Sequence, residues 1–156
     1  MEDSISRRGF IKQAATGIAA GAVLPVSAQA QGPAGTSLYA RLGGYDALAA
    51  VTDDFVGRLV SDRQLARFFA GHSTNSLNRI RQLVVDQLCQ ATGGPCVYIG
   101  RDMKTAHKGL GISESDWQVT ARHLTATFDK FKVPERERTE VLALLTSLKG
   151  DIVEKA

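Results

Sequence analysis

Neither a CxxC nor a CxxCH motif occurs in this chain of 156 residues, which excludes a thioredoxin-like redox pair and covalent c-type haem attachment. The two cysteines, Cys89 and Cys96, straddle Gly93-Gly94-Pro95, and spacing alone leaves open whether they pair. Histidines stand only at 72, 107 and 123, with no carboxylates at ligand spacing; a structural zinc site needs more. GxSxG, the P-loop and a GxGxxG opening a βαβ unit are missing, and the hydrolase, triphosphatase and dinucleotide readings go with them. Lys and Arg never cluster with interleaved aromatics, so no nucleic-acid partner is expected. No apolar run reaches the ~20 residues of a membrane-spanning helix, so no stable membrane anchor is expected either. No segment repeats, and none alternates polar with apolar for long enough to suggest a strand.

What is present begins with "SRRGFIK", residues 6 to 12, followed by an apolar, charge-free run from Ala14 to Val26 and then Ala28-Gln29-Ala30. Paired arginines, a short apolar run and a small-x-small site, in that order, read as a twin-arginine export signal. Residues 1–30 are therefore expected to be removed by cleavage after Ala30, giving a periplasmic or otherwise exported product that has used the twin-arginine translocation machinery. Removal takes away Arg7, Arg8 and Lys12 against Glu2 and Asp3, so part of the formal charge of +3 belongs to the signal. A short linker, 31–36, leads into one domain, 37–154, large enough for a single core.

Hydrophobic periodicity in that domain is helical almost throughout. Leu48, Val51, Phe55 and Leu59 share a face over 46–61, with Val56 beside them. Leu77, Ile80, Val84 and Leu88 do so over 76–91, where Gln87 is a polar member of the same face. Trp117, Ala121, Leu124, Phe128 and Phe131 mark 114–131, behind a Ser113 cap and ahead of Pro134. Val141, Leu145, Leu148 and Ile152 mark 135–153, and short helical pieces are expected at 37–42 and 102–107. The fold class is all-α.

"ATGGPCVYIGRDMKTAHKGLGI", residues 91 to 112, breaks the pattern. Gly93, Gly94, Pro95, Gly100, Gly109 and Gly111 forbid continuous helix, yet Tyr98, Met103, His107, Leu110 and Ile112 need a surface to cover. A loop with such content is positioned for a ligand more often than for packing. A metal-ligating histidine on a short helix, backed by glycines that let the chain approach a flat cofactor, accounts for the combination; a packed core histidine is the alternative.

At these residues the chain resembles a family. "LYARLGGYDAL", "RLVSDRQLARFF", "ATGGPCVYIGRDM" and "MKTAHKGLGI" occur in the order of the group I truncated haemoglobins, short globins with a two-over-two helical sandwich. The resemblance covers 37 to 153. It implies non-covalent haem b, with His107 as the iron's axial ligand and Phe69 stacked on the porphyrin. Tyr98 and Met103 would line the haem edge, Ile80, Val84, Ile112 and Leu124 would close the pocket, and the imidazole nitrogen not on iron would donate to a backbone carbonyl.

On the gas-binding side the sequence departs from the family. The tyrosine that usually follows the phenylalanine matching Phe55, and donates to bound oxygen, is here Val56, which has no donor. Ungapped counting places the family's distal glutamine at Val84; helical phase instead puts Gln87 on the pocket side and Gln82 nearly opposite. Phe55, Val56, Val84 and Gln87 are thus the expected distal pocket. His72, in a loop longer than the family's, is a candidate sixth ligand or a solvated residue. The implied activity is reversible binding of a diatomic gas: oxygen, nitric oxide or carbon monoxide. The alternative is a haem-dependent enzyme, a nitric oxide dioxygenase or peroxidase-like, which needs an external electron donor because no reductase domain is present.

Overall fold

The computed structural model describes residues 37–155. The signal and linker expectations, with cleavage after Ala30, fall outside the described residues. Within them the chain is helical, with no strand; the sole β-type contact is an isolated parallel bridge between Ser113 and Lys155. The helices are α1 (Leu38–Arg41), α2 (Gly44–Ser61), α3 (Thr74–Ala91), α4 (Met103–His107), α5 (Glu114–Lys130) and α6 (Glu135–Ile152), with a 3-10 turn at Ala66–Phe68. No described helix is long and apolar enough to cross a membrane.

Local chemistry sets these boundaries. Ser37, Ser73 and Asp102 each cap a helix by accepting an N–H of the first turn, from Ala40, Ser76 and Thr105 respectively. Ser113 and Asp116 cap α5 reciprocally, the two-way arrangement that satisfies two otherwise orphaned donors. Pro134 precedes α6, where its fixed φ suits a helix start and its missing N–H costs nothing.

α2 packs on α3 and α5, while α6 packs on α1 and α4. The buried core gathers Leu38, Leu124, Phe128 and Val141, with Leu42, Val51, Phe55 and Leu145 among the partly buried residues against it. The faces read from periodicity are offset from the deepest stripes. In α2 the buried residues are Leu48, Thr52 and Val56, and in α3 Val85 and Cys89, so of the faces read from periodicity in these two helices only Leu48 is among the buried residues. Val51, Phe55, Leu59, Ile80, Val84 and Leu88 are partly buried and, with Leu48, Thr52 and Val56, line a cavity. Phe131 departs further. It falls at the C-cap of α5 and is exposed, with Lys130 lying over its ring, because the helix ends before it completes the turn that would bring it to the core.

Carboxylates brace this frame. Arg58, Lys130 and Thr127 all donate to Asp54, tying α2 to α5 and holding the Asp54 carboxyl far below the usual carboxylate range. The His123 hydrogen bond lowers Asp62, and that from Arg41 lowers Glu137. Burial pushes Asp116 up, but hydrogen bonds from Ser113 and Gln64 and the charge of Arg67 outweigh it. Groups depressed in the fold contribute stability that is present above their unfolded values near pH 4 and is lost as protonation reaches the folded form. The midpoint of chemical unfolding should therefore fall steeply between about pH 5 and pH 2, and a flat profile there would contradict these braces.

Candidate functional site

A cavity of about 670 Å³ lies among α2, α3, α4, α5 and α6, within the size range of small-molecule and cofactor sites. Its wall takes Phe55 and Val56 from α2, Phe68 and Phe69 from the turn after it, and Ile80, Val84 and Gln87 from α3. Tyr98 comes from the glycine-rich loop, Met103 and His107 from α4, Ile112 from the segment after it, and Leu124 with Trp117 and Ala121 from α5. Every site residue expected from the sequence thus lines this one cavity.

His107 is the last residue of α4, and its Nδ1 lies 2.8 Å from the carbonyl oxygen of Met103, one turn back. That contact makes Nδ1 the N–H donor and leaves Nε2 as the lone-pair nitrogen, the tautomer a metal requires. Among the described residues no group of three or more His, Cys, Asp or Glu is placed to hold a metal ion. One imidazole so aligned on an apolar wall, with His72 the other histidine of the lining, suits a cofactor that brings the remaining ligands of its metal itself.

The turn carrying the two phenylalanines is anchored to α5 twice. Asp62 accepts from the backbone N–H groups of Gln64 and Leu65 and lies 2.8 Å from His123 Nε2. Asp116, almost wholly buried, accepts from Gln64 and Arg67, while the Arg67 guanidinium stacks 4.5 Å over the Phe68 ring. Charge-assisted bonds of this kind are about twice as strong as neutral ones, and they fix where the aromatic wall stands.

The loop opposite is fixed by covalent and close-packed contacts. Cys89, fully buried in α3, forms a disulfide with Cys96, their Cα atoms 5.7 Å apart. A Cβ on Gly94 would lie 2.5 Å from the Tyr39 ring and 2.7 Å from Cys89 Sγ, so only glycine fits there. The Gln90 side chain accepts the Tyr98 N–H, and the Tyr98 hydroxyl donates to the Arg101 carbonyl. Tyr98 is held with its hydroxyl committed, leaving the ring for the cavity.

Few unpartnered polar groups face inward. Gln82 is turned away from the cavity, its amide donating to Tyr45 and Asp86, whereas Gln87 is on the wall. His72 is exposed and reaches the wall from its loop. Thr52, fully buried on the same stripe as Val56, has a hydroxyl with no hydrogen-bond partner; periodicity gave no sign of it, since a threonine one turn before an apolar residue reads as part of the face. An unmade buried hydrogen bond costs about 1 to 3 kcal/mol. Thr52→Val should accordingly raise the stability of the haem-free protein by about 1 kcal/mol, seen as a melting temperature higher by about 4 °C. A lower melting temperature would mean that the hydroxyl has a partner in solution.

Known proteins agree with this architecture. The family model for bacterial-like globins matches residues 37–154. A group 1 truncated haemoglobin of Mycolicibacterium paratuberculosis is 34% identical over 116 residues, covering 74% of this chain and 83% of that protein. The 2/2 haemoglobin of Synechococcus sp. PCC 7002, solved in the cyanomet state with covalently attached haem, superposes with a TM-score of 0.67 at 26% identity, over 75% of this chain and 98% of its own. The Fe(III) truncated haemoglobin of Tetrahymena pyriformis has the same fold, with a TM-score of 0.69 at 24% identity over 75% and 97%. The all-helical sandwich around an apolar cavity is thus a truncated 2/2 globin, and the chain belongs to the bacterial-like globin family.

Proposed function

We propose that His107 Nε2 ligates the iron of a non-covalently held b-type haem in this cavity, and that the loaded protein reversibly binds oxygen, nitric oxide or carbon monoxide on the side walled by Phe55, Val56, Val84 and Gln87. The observation that carries this reading is the His107 imidazole, with Nδ1 committed to the Met103 carbonyl and Nε2 left for a metal on an apolar wall of suitable volume. When bound, haem supplies an iron with one position for the imidazole and one for the gas. The chain supplies the rest. Phe68 and Phe69, held by the Asp62 and Asp116 braces, offer aromatic surface to a flat ring; Tyr98 and Met103 enclose an edge; Ile112 and Leu124 exclude water. Non-covalent attachment is supported by the cysteines, both consumed in the disulfide.

Val56 carries no hydrogen-bond donor, so of the four residues assigned to the gas-binding side only Gln87 offers a polar contact to the ligand. The same reading includes export by the twin-arginine route, supported by Arg7, Arg8 and the Ala28-Gln29-Ala30 site. The direct test is titration of the purified protein with haemin, followed by ferric, ferrous and carbon monoxide spectra. Uptake of one haem per chain, a histidine-ligated carbon monoxide spectrum and complete extraction of the haem into acidified organic solvent are expected. Failure to take up haem would refute the proposal, and haem that resists extraction would refute its non-covalent part.

A further inference from the structure

The segment after His107 is held by the far end of the chain. Beyond α6, the Glu154 carboxylate accepts the Gly109 N–H through Oε1 at 2.7 Å and the Gly111 N–H through Oε2 at 2.5 Å. The backbone adds a second layer, in which the N–H groups of Glu154 and Lys155 both donate to the Ile112 carbonyl and the Lys155 carbonyl accepts from Glu114. Gly109 and Gly111 have φ of +83° and +64°, a region other residues adopt at a cost, so the two N–H groups converge on one carboxylate only because the chain there is coiled in the left-handed sense. Between them, Leu110 N–H donates to the His107 carbonyl. A single side chain therefore ties down the backbone on both sides of Leu110, from the residue two after His107 to the one before Ile112 on the cavity wall.

We infer that Glu154 is a positioning residue for His107: by clamping Gly109 and Gly111 it fixes the exit of α4, and thereby the reach and tilt with which the imidazole meets the metal. The inference rests on the proposed haem ligation by His107. Its physical basis is that groups bearing a metal ligand are held in place by hydrogen bonds outside the ligand itself, and that such outer partners tune the ligand's strength as well as its position. The Met103 carbonyl sets the rotation of the ring about its own axis. α4 packs on α6, and the Glu154 clamp adds a tie directly beyond the helix end that carries His107.

The test compares the haem-loaded full chain with Glu154→Gln, Glu154→Ala and, as a control, Lys149→Ala, which breaks the Lys149–Glu114 ion pair at the same junction without touching Gly109 or Gly111. The readouts are the iron–histidine stretching band of the ferrous protein by resonance Raman and the rate of haem transfer to apomyoglobin. The expected result is a band that broadens and moves to lower wavenumber in the order wild type, Gln, Ala, since Gln keeps one acceptor of the two, with haem transfer several-fold faster in the alanine variant and little change in the Lys149 control. A band unchanged in both Glu154 variants, even with lowered thermal stability, would overturn the inference and leave Glu154 a structural tie. Absence of the band in the wild type would instead overturn the His107 assignment on which the inference rests.

Discussion

His107→Gly will take up haem far more weakly than the parent protein, and its ferrous form will lack the iron–histidine band until imidazole is added. The residue is the single imidazole on the cavity wall whose ring nitrogen is aligned by a backbone carbonyl, with Nδ1 2.8 Å from Met103 O. Losing only the hydrogen-bond partner of such a ligand costs about 10- to 100-fold in metal affinity, so losing the ligand should cost more. Glycine at the end of a five-residue helix removes the ring without overpacking, and free imidazole fills a space of its own shape. Restoration by imidazole separates loss of a ligand from loss of fold. If the glycine variant retains wild-type spectra, another residue ligates the iron, and exposed His72, which lines the same cavity, becomes the candidate.

Much of this site was legible because helices write their faces into sequence. Phase alone distinguishes Gln87, on the wall, from Gln82, which the structure pairs with Tyr45 and Asp86, since five residues on a helix of 3.6 per turn separate two side chains by more than a third of a turn. The glycines around His107 were legible for a different reason: clustered helix breakers beside apolar residues imply a constrained loop. Three features left no local trace. The pairing of Cys89 with Cys96 depends on how tightly the Gly93-Gly94-Pro95 turn folds back, and that turn is tight because Gly94 sits against Tyr39 and Cys89. The Glu154 clamp joins residues 43 and 45 positions apart, beyond any periodicity. The unpartnered Thr52 hydroxyl is a statement about neighbours on other helices, which no window along α2 contains. Periodicity also reads the cavity as core, because an apolar lining and a filled interior have the same composition.

Val56→Tyr will slow oxygen release. Val56 is 8% exposed and lines the cavity beside Phe55, so a phenol hydroxyl introduced there enters an apolar space where a hydrogen bond is worth more than in water. Oxygen bound as proposed would carry partial negative charge, and a donor to a charged acceptor contributes about 1.5 to 3 kcal/mol, which corresponds to an oxygen dissociation rate lower by about 10- to 150-fold. Carbon monoxide, less polarised, should be released at nearly the parent rate, so the ratio of the two affinities is the sensitive quantity. The larger side chain opposes this through overpacking, at about 1 to 3 kcal/mol in a filled core. It borders a cavity of about 670 Å³, so most of that cost should be relieved on the cavity side. Stopped-flow displacement of oxygen by carbon monoxide measures the effect directly. Gln87→Leu in the parent sequence is the complementary arm: if Gln87 already donates to the gas, its removal speeds oxygen release, and the gain from Val56→Tyr is correspondingly smaller where Gln87 remains. No change in oxygen release on Val56→Tyr, with the fold intact, would mean that the gas binds away from α2 and that the distal wall assigned to Phe55, Val56, Val84 and Gln87 is wrong.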